Sequence, residues 1–191
     1  MDLACRADLA SAGYFEVIVT SIRLSFMLLA LLAPRAAGAQ NAFVGLPAPD
    51  FRLALLGGGE ATLSQFRGRP VVINFWASWC GPCRTEIPAI LALYAIHRPS
   101  GLEVLAVNLT DQEVRRHVQP FVTEMRMTFP VLLDERGRTR RSYRLRGVPT
   151  TVFVDTAGVV RLLHPGPIDS EALARGLSLI LADTLDNRGS H

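Results

Sequence analysis

The chain has 191 residues, which suits one domain of ordinary size preceded by a targeting segment. Hydrophobic residues make up 49% of it, ample for a packed core, while the formal net charge of +3 argues neither for nor against a polyanionic partner. All 20 basic residues are arginine, which excludes lysine-based catalysis.

The N-terminal segment reads as an export signal. Leu24 to Ala33 is a ten-residue apolar run behind Arg23, and Ala37-Gly38-Ala39 offers small residues for cleavage before Gln40. Ten residues are too few to span a bilayer. Joined to Val17 to Ile22, the run would instead make an uncleaved anchor. Residues 1–39 are therefore expected to be a signal peptide or membrane anchor, and 40–191 the working domain, soluble after cleavage or anchored to the inner membrane. Asp2, Asp8 and Glu16 against Arg6 make a poor n-region. They point to a later translation start, at Val17 or Val19. Cys5 leaves with this segment.

Residues 40–50 read as an extended lead-in carrying Pro47 and Pro49. Phe51 to Leu56 and Glu60 to Leu63 form a hairpin around Gly57-Gly58-Gly59. Val71 to Trp76 is a strongly apolar run around Asn74, the pattern of a strand buried on both faces. Cys80 to His97 reads as a helix, with Ile87, Ile90, Leu91 and Tyr94 at helical spacing. Pro82 is harmless in its first turn, whereas Pro88 should kink it. Leu102 to Leu109 is a second buried strand. Asp111 is expected to cap a helix running to about Arg126. Pro130 to Leu133 is a short strand, followed by a basic helical turn over Thr139 to Leu145. Thr151 to Val154 and Val159 to Leu163 pair around Ala157-Gly158, and Asp169-Ser170-Glu171 opens a last helix with Leu173, Leu177 and Ile180 on one face. Residues 186–191 read as a frayed tail. The order predicts a three-layer α/β sandwich.

Chemistry concentrates at Trp79-Cys80-Gly81-Pro82-Cys83, where the first buried strand gives way to a helix. Backbone N–H groups and the positive end of the helix dipole favour thiolate there. Zinc requires about four ligands, and His97, His117 and His164 stand singly rather than in ligand pairs, so no metal site is expected. A purely structural disulfide with a two-residue spacer would constrain the unfolded chain little. The spacing therefore points to disulfide exchange. No cofactor is expected beyond the redox-active pair itself.

The segment Asn74-Phe75-Trp76-Ala77-Ser78-Trp79-Cys80-Gly81-Pro82-Cys83-Arg84-Thr85-Glu86-Ile87-Pro88 resembles the active-site segment of the thioredoxin superfamily, in its TlpA/ResA-like extracytoplasmic branch. Gly45 to Phe51, Gly147-Val148-Pro149-Thr150-Thr151 and Phe153 to Val160 also fit that branch, so the resemblance covers residues 43–184. It implies a thioredoxin-like three-layer α/β/α sandwich with a central mixed sheet, an N-terminal hairpin extension and an inserted αβ element. It further implies a periplasmic or extracytoplasmic thiol-disulfide oxidoreductase that reduces protein disulfides. An apocytochrome c or another envelope protein would be its substrate, and a membrane thiol donor would recharge it.

On this resemblance Cys80 is the exposed attacking nucleophile and Cys83 the resolving thiol one helical turn on. Pro149 is expected to be cis, opening the Val148 backbone to an extended partner segment. Trp79, Gly81 and Pro82 complete the surface that meets the partner, with Trp79 as an apolar rim. Asn74 departs from cytoplasmic thioredoxins, which carry an acid there. Glu86, three residues after Cys83, is the expected proton acceptor, the other reading being a solvent-facing Glu paired with an arginine. Arg136, Arg138, Arg140, Arg141, Arg144 and Arg146 read as a solvated helix face or a docking surface for an acidic protein. Without interleaved aromatics they do not read as a nucleic-acid site. No dimerisation segment is visible, so a monomer is expected. Two alternatives use similar residues. A peroxiredoxin would place Pro and Thr or Ser before its cysteine, and neither Trp76 before Cys83 nor Ile73 and Ala77 before Cys80 fits. A thioredoxin-fold copper chaperone would recruit His164.

Overall fold

The computed structural model describes residues 44–186. The expected signal or anchor segment, the question of the translation start, and the last five residues lie outside them. Seven strands lie in one sheet: β1 (Arg52–Leu55), β2 (Glu60–Thr62), β3 (Val71–Trp76), β4 (Glu103–Asn108), β5 (Val131–Leu133), β6 (Thr150–Val154) and β7 (Val160–Pro165). Their spatial order is β2-β1-β5-β4-β3-β6-β7. β3, β4 and β5 run parallel, and the hairpins β1–β2 and β6–β7 add antiparallel edges.

The helices are α1 (Gly81–His97), α2 (Val118–Glu124), α3 (Arg138–Ser142) and α4 (Ser170–Asp186). Alternation along the strands divides the core in two, because successive side chains of a strand point to opposite faces. Val72 and Trp76 of β3 and Val104 and Ala106 of β4 face the layer of α1, α2 and α4. Val71, Ile73 and Phe75, with Leu105 and Val107, face Phe51, Leu63 and Tyr143. A fully buried side chain such as Ile87 of α1 contributes about 1.5–3 kcal/mol. Burial on both faces is why β3 and β4 are largely apolar, with Asn74, Glu103 and Asn108 the exceptions. The result is the expected α/β/α sandwich with a mixed sheet, a hairpin at one edge, and an extra αβ step through α2 and β5.

Local chemistry sets the boundaries. Gly58 and Gly59 adopt φ of 99° and 81°, the turn that returns β1 into β2. Gly101, at φ 94°, lets Leu102 N–H reach the His97 carbonyl and ends the α1 region. α1 continues through Pro88 without interruption. Asp169 accepts the Ala172 N–H and caps α4. The lead-in pairs with β7, through Gly45 N–H to Val160 and Ala48 N–H to Gly158. The Tyr143 hydroxyl donates to the Pro49 carbonyl at 2.8 Å and secures the lead-in from the far side.

One expected helix is broken up. Instead of a helix from Asp111 to Arg126, two short 3₁₀ turns (Thr110–Gln112 and Arg115–His117) precede α2. Asp111 caps nothing, because its carboxylate is held by Arg140. Pro120 lacks an N–H and crowds the preceding turn, so a regular helix can begin only just before it. Glu113, meanwhile, is drawn away towards the end of β3.

Candidate active site

β3, β4 and β5 end at one edge of the sheet, where β6 begins and β7 ends. Every expected site residue sits on the loops or helix starts at that edge or directly beneath them.

Cys80 is the N-cap of α1, and its sulfur accepts the Cys83 N–H at 3.2 Å. Cys80 and Cys83 are joined by a disulfide with an S–S distance of 2.07 Å. In this oxidised form both are buried, at 3% and 0% exposure, so the expected contrast in exposure between the sulfurs is small. Trp76 and Ala77 share their core cluster. Around them Gly81 and Pro82 are exposed, and Trp79 stands 58% exposed with its indole N–H donated to the Gln112 carbonyl. Trp79 thus rims the site, while Trp76 is a core residue stacked on Phe121 at 4.7 Å between ring centroids. Arg84 lies over the other part of this stack and pairs with Glu124.

The Val148–Pro149 peptide is cis. Among the described residues no hydrogen bond engages the backbone N–H or carbonyl of Val148. That carbonyl and N–H lie beside an exposed Gly147 and a half-buried Val148 side chain, so an extended segment has room to pair there.

Glu86 is not solvent-facing. It is 2% exposed and lies on α1 one turn after Cys83. Asn74 Nδ2 donates to one of its oxygens at 2.7 Å, and the Ile168 N–H donates to the other at 2.9 Å. Asn74 also donates to the Thr151 hydroxyl at 3.1 Å. The register explains these contacts, because Asn74 of β3 lies opposite Thr151 of β6, which lies opposite His164 of β7. Asn74 shares the face of Val72 and Trp76, beneath α1. Burial pushes the Glu86 carboxyl above its ordinary 4.5, against the opposing pull of the Ile168 N–H and the Asn74 amide. A buried carboxyl of raised pKa, a turn from Cys83, is suited to accept and return a proton.

Sequence reasoning missed Glu113. Its two oxygens accept the Ser78 N–H at 3.2 and 3.1 Å, and one also accepts the Asn108 side-chain amide at 2.6 Å. With Gln112 holding Trp79, this loop grips the entry to the cysteine motif from both sides. A signal was present in Asn108, a polar residue closing an otherwise apolar buried strand, which required a partner. Of the basic cluster, Arg140 pairs with Asp111, Arg136 and Arg138 lie beside β1 and the end of β5, and Arg146 precedes Val148 by two residues. His164 meets the Pro167 carbonyl at 3.2 Å. Among the described residues no group of three or more His, Cys, Asp or Glu is placed to hold a metal ion.

An α/β/α sandwich with a cysteine pair at a helix start, a cis-proline beside it and a buried acid beneath defines a thioredoxin-like dithiol site. The AhpC/TSA family model matches residues 44–163, and the chain belongs to that family. Within it the chain is 37% identical over 137 residues to the thiol-disulfide oxidoreductase ResA of Geobacillus kaustophilus, covering 72% of this chain and 78% of that one. It is 29% identical over 155 residues to sporulation thiol-disulfide oxidoreductase A of Bacillus subtilis, covering 80% and 93%. Among solved structures, a thiol:disulfide interchange protein DsbE from Chlorobium tepidum superposes with a TM-score of 0.66 at 35% identity, covering 74% of this chain and 97% of that one. StoA from Bacillus subtilis superposes at 0.59 with 27% identity, covering 69% and 98%. The chain is a ResA-like thiol-disulfide oxidoreductase.

Proposed function

We propose that the chain acts outside the cytoplasm as a reductant of protein disulfides, using Cys80 to attack and Cys83 to resolve. In the first step the Cys80 thiolate attacks one sulfur of a partner disulfide. An S–S bond forms between Cys80 and the partner, the partner's own S–S bond breaks, and its second sulfur leaves as a thiolate that takes up a proton. In the second step Cys83 gives its proton to Glu86, and its sulfur attacks Cys80. The Cys80–Cys83 disulfide forms and the partner's remaining sulfur leaves and is protonated. Two electrons pass from the cysteine pair to the partner. A dithiol donor, in our reading a membrane protein, returns them by the same exchange in reverse.

The observation that carries this reading is Glu86, held buried by Asn74 and Ile168 one turn below Cys83. A buried thiol resists ionising, because a low dielectric penalises charge. An adjacent base with a raised pKa removes that obstacle. The rim of Trp79, Gly81 and Pro82, with the open backbone at Val148 and Pro149, is the surface we assign to the partner polypeptide.

Export rests on the apolar run Leu24 to Ala33 and the small residues before Gln40. Among the described residues no helix is long and apolar enough to cross a membrane. For the partner, the resemblance to ResA-like proteins favours apocytochrome c, whose haem attachment needs two reduced cysteines. The test is Cys83→Ser, which should stall exchange after the first step and leave the partner joined to Cys80 for identification. Cys80→Ser should abolish disulfide reduction. Retained reduction in Cys80→Ser, or adducts on Cys83 instead of Cys80, would contradict the assignment.

A further inference from the structure

The arginines of this chain gather at the edge of the sheet that carries the cysteine pair. Arg116 follows β4, and Arg136, Arg138, Arg141 and Arg146 lie between β5 and β6. The acids at the same edge are engaged, Asp169 as the cap of α4 and Glu171 with Arg175. Asp111 holds Arg140, Glu135 holds Arg115, and Glu124 holds Arg84. Glu113 is bound to Ser78 and Asn108, Asp134 accepts the N–H groups that start α3, and Glu86 is interior. Arg116 and Arg146 are exposed and make no ion pair among the described residues.

Exposed apolar side chains lie two residues from Arg116 and at the cysteine motif. Trp79 and Val114 are 58% and 48% exposed, and Pro82 is exposed beside the motif. Arg146 precedes Val148 by two residues, with only exposed Gly147 between. An extended segment pairing with Val148 advances about 3.3 Å per residue. The chain bends at Gly147 and Val148, so Arg146 lies beside the start of any such pairing, within reach of side chains near its end. On the opposite side, Arg116 lies three residues beyond Glu113, which grips Ser78.

Resting on the reductase reading above, we propose that the partner is selected by charge: the disulfide it presents lies in an apolar stretch with acidic residues two to three positions away. Apolar residues meet Trp79, Val114 and Pro82, and carboxylates meet Arg146 and Arg116. Unpaired arginines around the docking strip raise the encounter rate for an acidic segment and oppose a basic one. The effect decays with salt, since the screening length falls from about 10 Å at 0.1 M to about 3 Å at 1 M.

The experiment uses the reduced full chain and two synthetic peptide disulfides. They share the same apolar residues around the cystine and differ only in carrying Glu or Arg two and three positions away. Each second-order rate is divided by the same protein's rate with hydroxyethyl disulfide, which is small and uncharged. We expect the acidic peptide to react about tenfold faster than the basic one at low ionic strength, with the ratio falling towards one at high salt. In a variant carrying both Arg146→Gln and Arg116→Gln, the low-salt ratio should fall by at least about threefold. Equal rates for the two peptides at low salt, or a ratio untouched by the double variant, would overturn the proposal. Failure to reduce hydroxyethyl disulfide would instead overturn the reductase reading, and this inference with it.

Discussion

Glu86 is the residue whose behaviour is most exposed to test. Its oxygens accept from the Asn74 amide and the Ile168 N–H, yet burial outweighs both and raises its carboxyl above 4.5. A raised carboxyl binds its proton more tightly in the folded than in the unfolded chain. The stabilisation from that proton is complete below about pH 4.5 and is lost as pH rises through the folded value. Glu86→Gln removes this titration. Its stability advantage over the native chain should therefore grow upward from pH 4.5 and then level off, as urea unfolding across pH will measure. Exchange should slow by about 10²-fold in the same variant, because Cys83 loses its proton acceptor. Its thiol titration should lose the influence of the carboxylate. An unchanged rate and titration would leave Glu86 a structural residue. Asn74 suits this neighbour better than an aspartate would. Its Nδ2 donates to the carboxylate, and half a turn of the amide would instead present Oδ1 to a protonated Glu86. In the present orientation that Oδ1 is buried without a hydrogen-bond partner.

Two elements hold the site from opposite sides. The loop after β4 does so through Glu113, and Glu113→Ala would leave the Ser78 N–H and the Asn108 amide without their acceptor. Loss of a buried acceptor costs about 1–3 kcal/mol, to be read by urea denaturation. Trp79 fluorescence should change as well, since its indole is fixed to the adjacent Gln112. An unaltered emission spectrum would mean that the loop does not govern the rim. On the other side α4 supplies the Ile168 contact through its leading loop and packs against β6. Gly176 makes that approach close: a Cβ there would meet the Phe153 ring at 2.4 Å. Gly176→Ala should destabilise the domain by about 1–3 kcal/mol through overpacking, and a midpoint equal to that of the native chain would contradict it. The helix of higher alanine propensity is then the less stable protein, because packing rather than propensity decides at this position.

For the molecule as a whole, the described residues hold both core layers and the complete site, so the fragment 40–191 should be soluble and monomeric without detergent. Size-exclusion chromatography with light scattering checks this, and an obligate dimer or a need for detergent would refute it. Much of this architecture was legible in the residue order. Largely apolar runs at β3 and β4 announced strands buried on both faces, glycines placed the turns, and the spacing of Cys80 and Cys83 at a strand–helix junction announced the chemistry. Each is a local signal, readable because side-chain periodicity and turn chemistry act over a few residues. The helix expected from Asp111 failed for the opposite reason. A cap is favourable only if no better partner competes, and Arg140, 29 residues away, takes that carboxylate. Glu113 escaped notice for a related cause: Asn108 called for a partner without naming it, and its other contact, Ser78, lies 35 residues earlier. Glu86 could be named from its place one turn after Cys83, but its burial and raised pKa follow from Asn74 and Ile168, which only the strand register and the packing of α4 bring to it. The sequence by itself determined most of the elements, the reactive pair and its position at a helix start. The tertiary structure alone decided the environment of Glu86, the grip on the motif and the charge of the surrounding edge, because desolvation and hydrogen bonding depend on neighbours distant in the chain.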